Sequence, residues 1–243
     1  WSDALGIRAV EHCAYIDWQR QDDQTYHGHN QKPGSPLFTG ETASVRHRAA
    51  EVIHRSRADS PEDAVDGWLT TPYHRVAPMH PDAVEAGACT SPDGTAVMLL
   101  RTRRSTTGVT VYPPDGSQDV PLSFNGLESP DPLPISVYPD KTLPVGFTVT
   151  AWLLDQPATP RLLSSKMTAD GRTLPHYTVF DPDDFRRGSG EIHLIPAAPY
   201  PPEAEIQWQI KLRVDGERTS IRGMFTTTAH PDGDPVVLEL SLI

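Results

Sequence analysis

Ten histidines are spread along the chain, and seven of them stand at or before His80. A neutral imidazole can ligate a divalent metal, move a proton or hydrogen-bond a ligand, so this crowding puts the unusual chemistry in the first third. His74 lies in "AVDGWLTTPYHR", residues 64 to 75, where an amphipathic helix runs into a turn that leaves the imidazole between Tyr73 and Arg75. His47, Glu51 and His54 fall at i, i+4 and i+7; on a helix they share one face, as a ligand set or as a solvated surface. His12 reads as a residue that packs or bonds locally, His27 and His80 as loop residues, and His176, His193 and His230 as strand or tail positions. Other chemistries lack their motifs. There is no G-x-S-x-G segment, no P-loop and no dinucleotide glycine fingerprint, and the "GSG" at 188–190 sits in a β context. "DPDDF" at 181–185 lacks the glycine and terminal glutamate of an EF-hand loop and reads as a solvated turn.

The elements that must position these residues differ between the two halves. Leu5, Val10, Cys13, Ala14 and Trp18 recur at helical spacing behind Ser2, a candidate N-cap, which predicts a helix over residues 3 to 20. A polar loop containing Gly and Pro follows, and residues 43 to 56 fit a second helix. Ser60, Pro61, Glu62 and Asp63 form a start signal for a third, running to about Thr70. "AVEAGAC" and "GTAVMLLRTR", joined by "SPDG", predict a strand pair. Beyond Val109 the pattern changes to short runs rich in β-branched and aromatic residues, such as "FTVTAWLLD", "HYTVF" and "EIQWQIKLRV", with Gly, Pro and Asp turns between them. The expected fold class is therefore α+β: a helix-bearing domain over residues 1–108 and an all-β sandwich over 109–243.

Bulk properties narrow the partners. The 243 residues carry a net charge of −11, with 14 acidic and 11 basic residues through Tyr112 and 18 and 10 beyond it. Such an acidic chain argues against nucleic acid and against anionic membrane surfaces. No apolar run approaches the roughly 20 residues that a membrane-spanning helix needs. Twenty-five prolines favour short strands and turns over long helices. The sequence begins at Trp1 with no start methionine, basic segment or apolar leader, which reads as a trimmed piece of a longer precursor. Two cysteines, Cys13 and Cys89, can form one disulfide or stand as two buried thiols.

The first half resembles the CAP superfamily (cysteine-rich secretory proteins, antigen 5 and plant pathogenesis-related proteins) in its bacterial branch. The resemblance is carried by "AVEHCAYID", "GHNQKPGSPLFTGE", "RAAEVI" and above all "SPEDAVDGWLTTPYHRVAPMHPDAVEAGA", over about residues 3 to 103. It implies an α-β-α sandwich around a cleft, with His29, Glu51 and His74 at the positions of the family's cleft ligands and Tyr73 beside them. Two imidazoles and one carboxylate suit zinc, or another divalent cation, with one position open to water. Asn30 and Gln31 stand where relatives carry an acidic residue, and Thr71 stands near a second acidic position, so the set is short of a carboxylate. Residues from about 109 to 228, through "VYPPDGSQDVPLSF" and "PYPPEAEIQWQIKLRVDGERTSIRGMFTTT", resemble the Ig-like modules that follow CAP domains in some bacterial surface proteins.

Two function classes follow from that resemblance. One is a secreted or cell-surface, non-enzymatic binding or scaffold protein whose cleft takes a small apolar or cell-wall ligand, or a metal. The other is a metal-assisted hydrolase acting on a cell-wall, peptide or lipid substrate, with Glu51 or metal-bound water as base. The missing second carboxylate removes a natural general base and favours the first.

Overall fold

The computed structural model describes residues 1–21, 29, 31–39, 49–54, 60–103, 108–154, 159–181 and 189–230. Two compact units divide the chain, Trp1–Ser105 and Thr106–Ile243.

In the first unit, helix α1 (Asp3–Gln21) buries Leu5, Ala9, Cys13 and Ile16, a stripe at spacings of four, four and three. The Ser2 carbonyl accepts from the Gly6 N–H, and the Ser2 N–H donates to the Ala86 carbonyl, so the helix start is tied to a strand. That strand belongs to an antiparallel sheet of β1 (Ala49–His54), β2 (Ala83–Thr90) and β3 (Ala96–Thr102), in the order β1-β3-β2. The expected "SPDG" hairpin joins β2 to β3, with Cys89 opposite Val97. Alternation along β3 sends Val97 and Leu99 toward α1, where Ile53 joins them. Ala96, Met98 and Leu100 go to the other face, against Ala64, Trp68 and Ala77. Ala64 and Trp68 belong to α2 (Pro61–Thr70), where the expected start signal is realised: the Ser60 hydroxyl accepts the Asp63 N–H at 3.1 Å, and Pro61 occupies the first turn. Each fully buried apolar side chain contributes about 1.5–3 kcal/mol.

The expected fold class needs correcting. With 42% strand against 17% helix and two α-helices among the described residues, the chain is mostly β and is not the α-β-α sandwich of a CAP domain. The second expected helix, 43–56, fails where it is described: Ala49–His54 is strand β1, paired in register with Ala96–Arg101. Glu51 and His54 therefore sit in a strand, and His47 lies outside the described residues. Among the described residues one helix packs against each face of the three-stranded sheet, which does not make the helical layers that the resemblance implied.

The second unit is built on strands alone among its described elements. A five-stranded sheet runs β10 (Arg172–Thr173), β9 (Arg161–Ala169), β13 (Glu205–Val214), β14 (Glu217–Thr227), β5 (Ser117–Val120). A four-stranded sheet runs β11 (His176–Phe180), β12 (Ser189–Pro196), β8 (Val149–Leu154), β4 (Gly108–Tyr112), and β6 (Ser123–Phe124) pairs with β7 (Val145–Gly146). Ile206, Trp208, Ile210 and Leu212 alternate inward along β13 and are buried. Gln207 and Gln209 therefore face outward. Phe124, Leu133, Val145 and Ile195 form a second apolar cluster in this unit.

Two predictions come from the first unit. A Cβ at Gly87 would lie 2.3 Å from the Gly6 nitrogen and 2.3 Å from the Leu5 carbonyl carbon, both α1 backbone. Gly87→Ala should therefore destabilise this unit by about 3 kcal/mol, read as a lowered urea midpoint. On α2, burial and then the nearby charges of Asp63 and Glu62 hold the Asp66 carboxyl above its ordinary value. A raised carboxylate favours the fold while protonated, so this contribution is lost as pH rises from below 3.8 through the raised value. Asp66→Asn should raise the urea midpoint at neutral pH and flatten that fall.

Candidate functional site

Of the residues expected in the cleft, His29 lies in an exposed turn, and Tyr73 and His74 are half-buried at the end of α2. Glu51 is placed in β1 opposite Leu99, but its side chain lies outside the described residues. Among the described residues no three His, Cys, Asp or Glu side chains gather closely enough to hold a metal ion.

The segment beyond His29 is fastened to α1 by two polar contacts. The Gln31 side-chain oxygen Oε1 accepts both the Thr39 N–H, at 2.9 Å, and the Thr39 hydroxyl, at 3.1 Å. Because a backbone N–H can only donate, the Gln31 amide nitrogen must face the other way, where His12 Nδ1 lies at 3.2 Å. His12 Nδ1 is then the acceptor, which fixes the neutral tautomer with the proton on Nε2. The His12 ring is buried and stacks on Tyr15 with an interplanar angle of 6°. Tyr15 in turn accepts the Lys32 N–H at 2.6 Å and the Gln19 side-chain amide at 2.9 Å. Gln31, read from sequence as a missing carboxylate, works here as a clip that orients His12 and holds the segment after His29.

The turn bearing His74 is organised by its neighbour. After α2 the Thr71 N–H and hydroxyl both return to the Trp68 carbonyl, closing the helix. The Thr71 carbonyl accepts from the Arg75 N–H at 3.3 Å and from Arg75 Nε at 3.1 Å. The Arg75 side chain is 0% exposed, the largest fully buried side chain in the described chain. Arg75 thus bonds back to a carbonyl four residues earlier, and its full burial has no signal in the sequence. Downstream, the Met79 N–H donates to the Arg75 carbonyl, and the Asp82 N–H donates to His80 Nδ1. His80 is therefore a turn-former.

The site that sequence reasoning missed is on the outward face of the five-stranded sheet. A hollow of about 530 Å³ is lined by Lys166 and Thr168 of β9, Gln207 and Gln209 of β13, and Arg222 and Met224 of β14. Lys166 and Arg222 both register opposite Gln209, one on each side, while Thr168 and Met224 register opposite Gln207. Among the described residues neither the Lys166 nor the Arg222 side chain has a hydrogen-bond or ion-pair partner. The turn between β4 and β5 closes one end: the Asp115 carboxylate accepts the Met224 N–H at 2.8 Å, and the Gly116 N–H donates to the Met224 carbonyl at 2.8 Å. Gly116 has φ +81°, which a glycine adopts without strain. Gln209 donates to Ser220 at 2.9 Å and Gln207 to Glu205 at 2.7 Å, so both amides are held in place with carbonyl oxygens to spare.

No family model matches the chain, and no curated protein is similar to it. The CAP resemblance therefore rests on its motif residues alone, in a chain whose fold departs from that family.

Arg75 and His74 should separate cleanly by mutation. Arg75→Met strips the Thr71 carbonyl of a charged donor and empties a filled space, at a cost of about 2–4 kcal/mol in urea unfolding. His74→Ala, half-exposed beside it, should change stability by no more than about 0.5 kcal/mol.

Proposed function

We propose that the chain is a non-enzymatic binding protein, secreted or held at a cell surface, whose second unit takes an anionic saccharide on the outward face of its five-stranded sheet. The observation that carries this reading is the pair of cations, Lys166 and Arg222, set either side of Gln209 with no ion-pair partner among the described residues, in a hollow whose one lining carboxylate, Asp115, accepts the Met224 N–H. Two like charges over one hollow repel each other, and a carboxylate or phosphate between them relieves that repulsion. The hollow's volume falls within the range of about 300–1,000 Å³ usual for small-ligand sites. Thr168, Gln207 and Gln209 add a hydroxyl and two amides, the donors and acceptors that sugar hydroxyls require. In a chain of net charge −11, attraction for an anion must be local, which confines binding to this patch. A metal-assisted hydrolase would need an assembled carboxylate–imidazole group, and no observation on the described residues favours it.

Digalacturonate, with maltose as the neutral control, tests the reading by isothermal titration in low-salt buffer. The acid should bind and maltose should not, and added salt should weaken the binding. Lys166→Ala with Arg222→Ala removes two ion pairs of about 1 kcal/mol each and should weaken binding at least tenfold without lowering the melting temperature. No heat with the acid, or equal affinity in the double variant, overturns the proposal.

A further inference from the structure

The two cysteines come from elements that meet in the first unit. Cys13, in α1, is 1% exposed and packs with Leu5, Ala9, Ile16 and Val97. Cys89, in β2, is half-buried and packs against that same cluster. Gly6 and Cys13, seven residues apart, share a face of the helix, and Gly87 and Cys89, two apart, share a face of the strand. At Gly87 the helix backbone lies as near the strand as a residue without a side chain permits. On these facing elements the Cys13 thiol donates to the Thr95 carbonyl at 3.8 Å, and Cys89, opposite Val97, packs against the cluster to which Cys13 and Val97 belong. Both cysteines carry free thiols here.

We propose that Cys13 and Cys89 are an oxidation site, a dithiol that a disulfide-bearing oxidant converts into an internal disulfide joining α1 to β2. The pair divides the chemistry unequally. Cys89 is half-buried while Cys13 is buried, so Cys89 is the sulfur an oxidant can reach, and the neighbouring Cys13 holds the Cys89 thiol below its ordinary value. The neighbouring Cys89 sulfur, and then burial, push the Cys13 thiol up, so Cys13 holds its proton until its partner has reacted. Cys89 thiolate attacks one sulfur of the oxidant; the oxidant's S–S bond breaks and its other sulfur leaves with the electron pair. Cys13 then releases its proton to solvent and attacks Cys89 Sγ, and the second oxidant sulfur departs as a thiolate. Two protons and two electrons leave the cysteine pair, and the oxidant disulfide becomes two thiols. The new bond closes a loop from the first helix to the second strand, which penalises the unfolded chain. This inference is independent of the saccharide reading, because it concerns the other unit.

Incubation of the full chain with oxidised glutathione, followed by unfolding, alkylation and intact-mass measurement, tests it. The expected product has lost two hydrogens, takes up no alkylating agent, and melts on the order of 10 °C higher than the reduced chain. Dithiothreitol should reverse all three changes. Cys13→Ala should stop at a mixed disulfide between Cys89 and glutathione, and Cys89→Ala should leave Cys13 unmodified in the folded protein. A wild-type chain that keeps two alkylatable thiols, or that stops at the mixed disulfide, overturns the proposal. So does a Cys89→Ala variant whose Cys13 reacts as fast as Cys89 does in the wild type.

Discussion

Helix α1 can lie on the first-unit sheet only because β2 offers it bare backbone at Gly87. The space a methyl group would take there is already filled by the backbone of Leu5 and Gly6. From that close approach the rest of the unit follows. Ser2 can reach Ala86 with a backbone hydrogen bond, Leu5 and Ala9 can seal against Val97 and Leu99, and Cys89 can pack against the cluster that holds Cys13. A helix held even an ångström higher would lose dispersion contacts along its whole buried stripe. The polar clip through His12, Tyr15, Gln31 and Lys32 then uses α1 as a fixed post, so the segment beyond His29 inherits its position from one glycine in another element.

What could be read from sequence was what depends on nearest neighbours. The extent of α1, the Ser60–Pro61 helix start and the "SPDG" hairpin are each written within fewer than twenty consecutive residues, and all three form where expected. Within α1, however, Val10 and Ala14 of the expected stripe are exposed, and Ala9 and Ile16 are buried instead. The error at 43–56 has a physical source. Ala49, Ala50, Val52 and Ile53 satisfy a helical period and a strand period equally well, and short apolar runs do not distinguish the two. Pairing with Ala96–Arg101 decides the matter, and that partner lies more than forty residues away. The same mistake misplaced Glu51, since a shared face with His47 and His54 exists only on a helix.

The candidate sites were less legible than the fold, for a related reason. Lys166, Gln209 and Arg222 become neighbours through the register of three strands, and register is set by which faces are buried rather than by any local motif. The "QWQIK" alternation announces a strand and which of its residues face outward, but not which cations will flank it. Arg75 is the converse case. It stands beside the expected site residue His74, and the structure commits it to the Thr71 carbonyl, fully buried. Gln31 likewise looked like a lost ligand and is a hydrogen-bonded clip.

These assignments divide the labour of the polar residues. In the first unit the histidine, glutamine and arginine side chains with detailed contacts are engaged by the protein itself, and a buried polar group so engaged is costly to divert to a ligand. On the five-stranded sheet the order is reversed. The amides of Gln207 and Gln209 are held by Glu205 and Ser220, and the end turn is pinned to Met224 through Asp115 and Gly116. The cations between them have no partner among the described residues. A ligand arriving there meets a surface already fixed by ladder and side-chain hydrogen bonds, so it pays little to order the site. Only the two long cationic side chains must give up rotamer freedom, about 2 kcal/mol each at most, and each recovers part of that in a charge-assisted hydrogen bond to the anion. Amides held for orientation and unpaired cations for charge are the division that the proposed saccharide site requires, and adjacent strands of the sheet carry both.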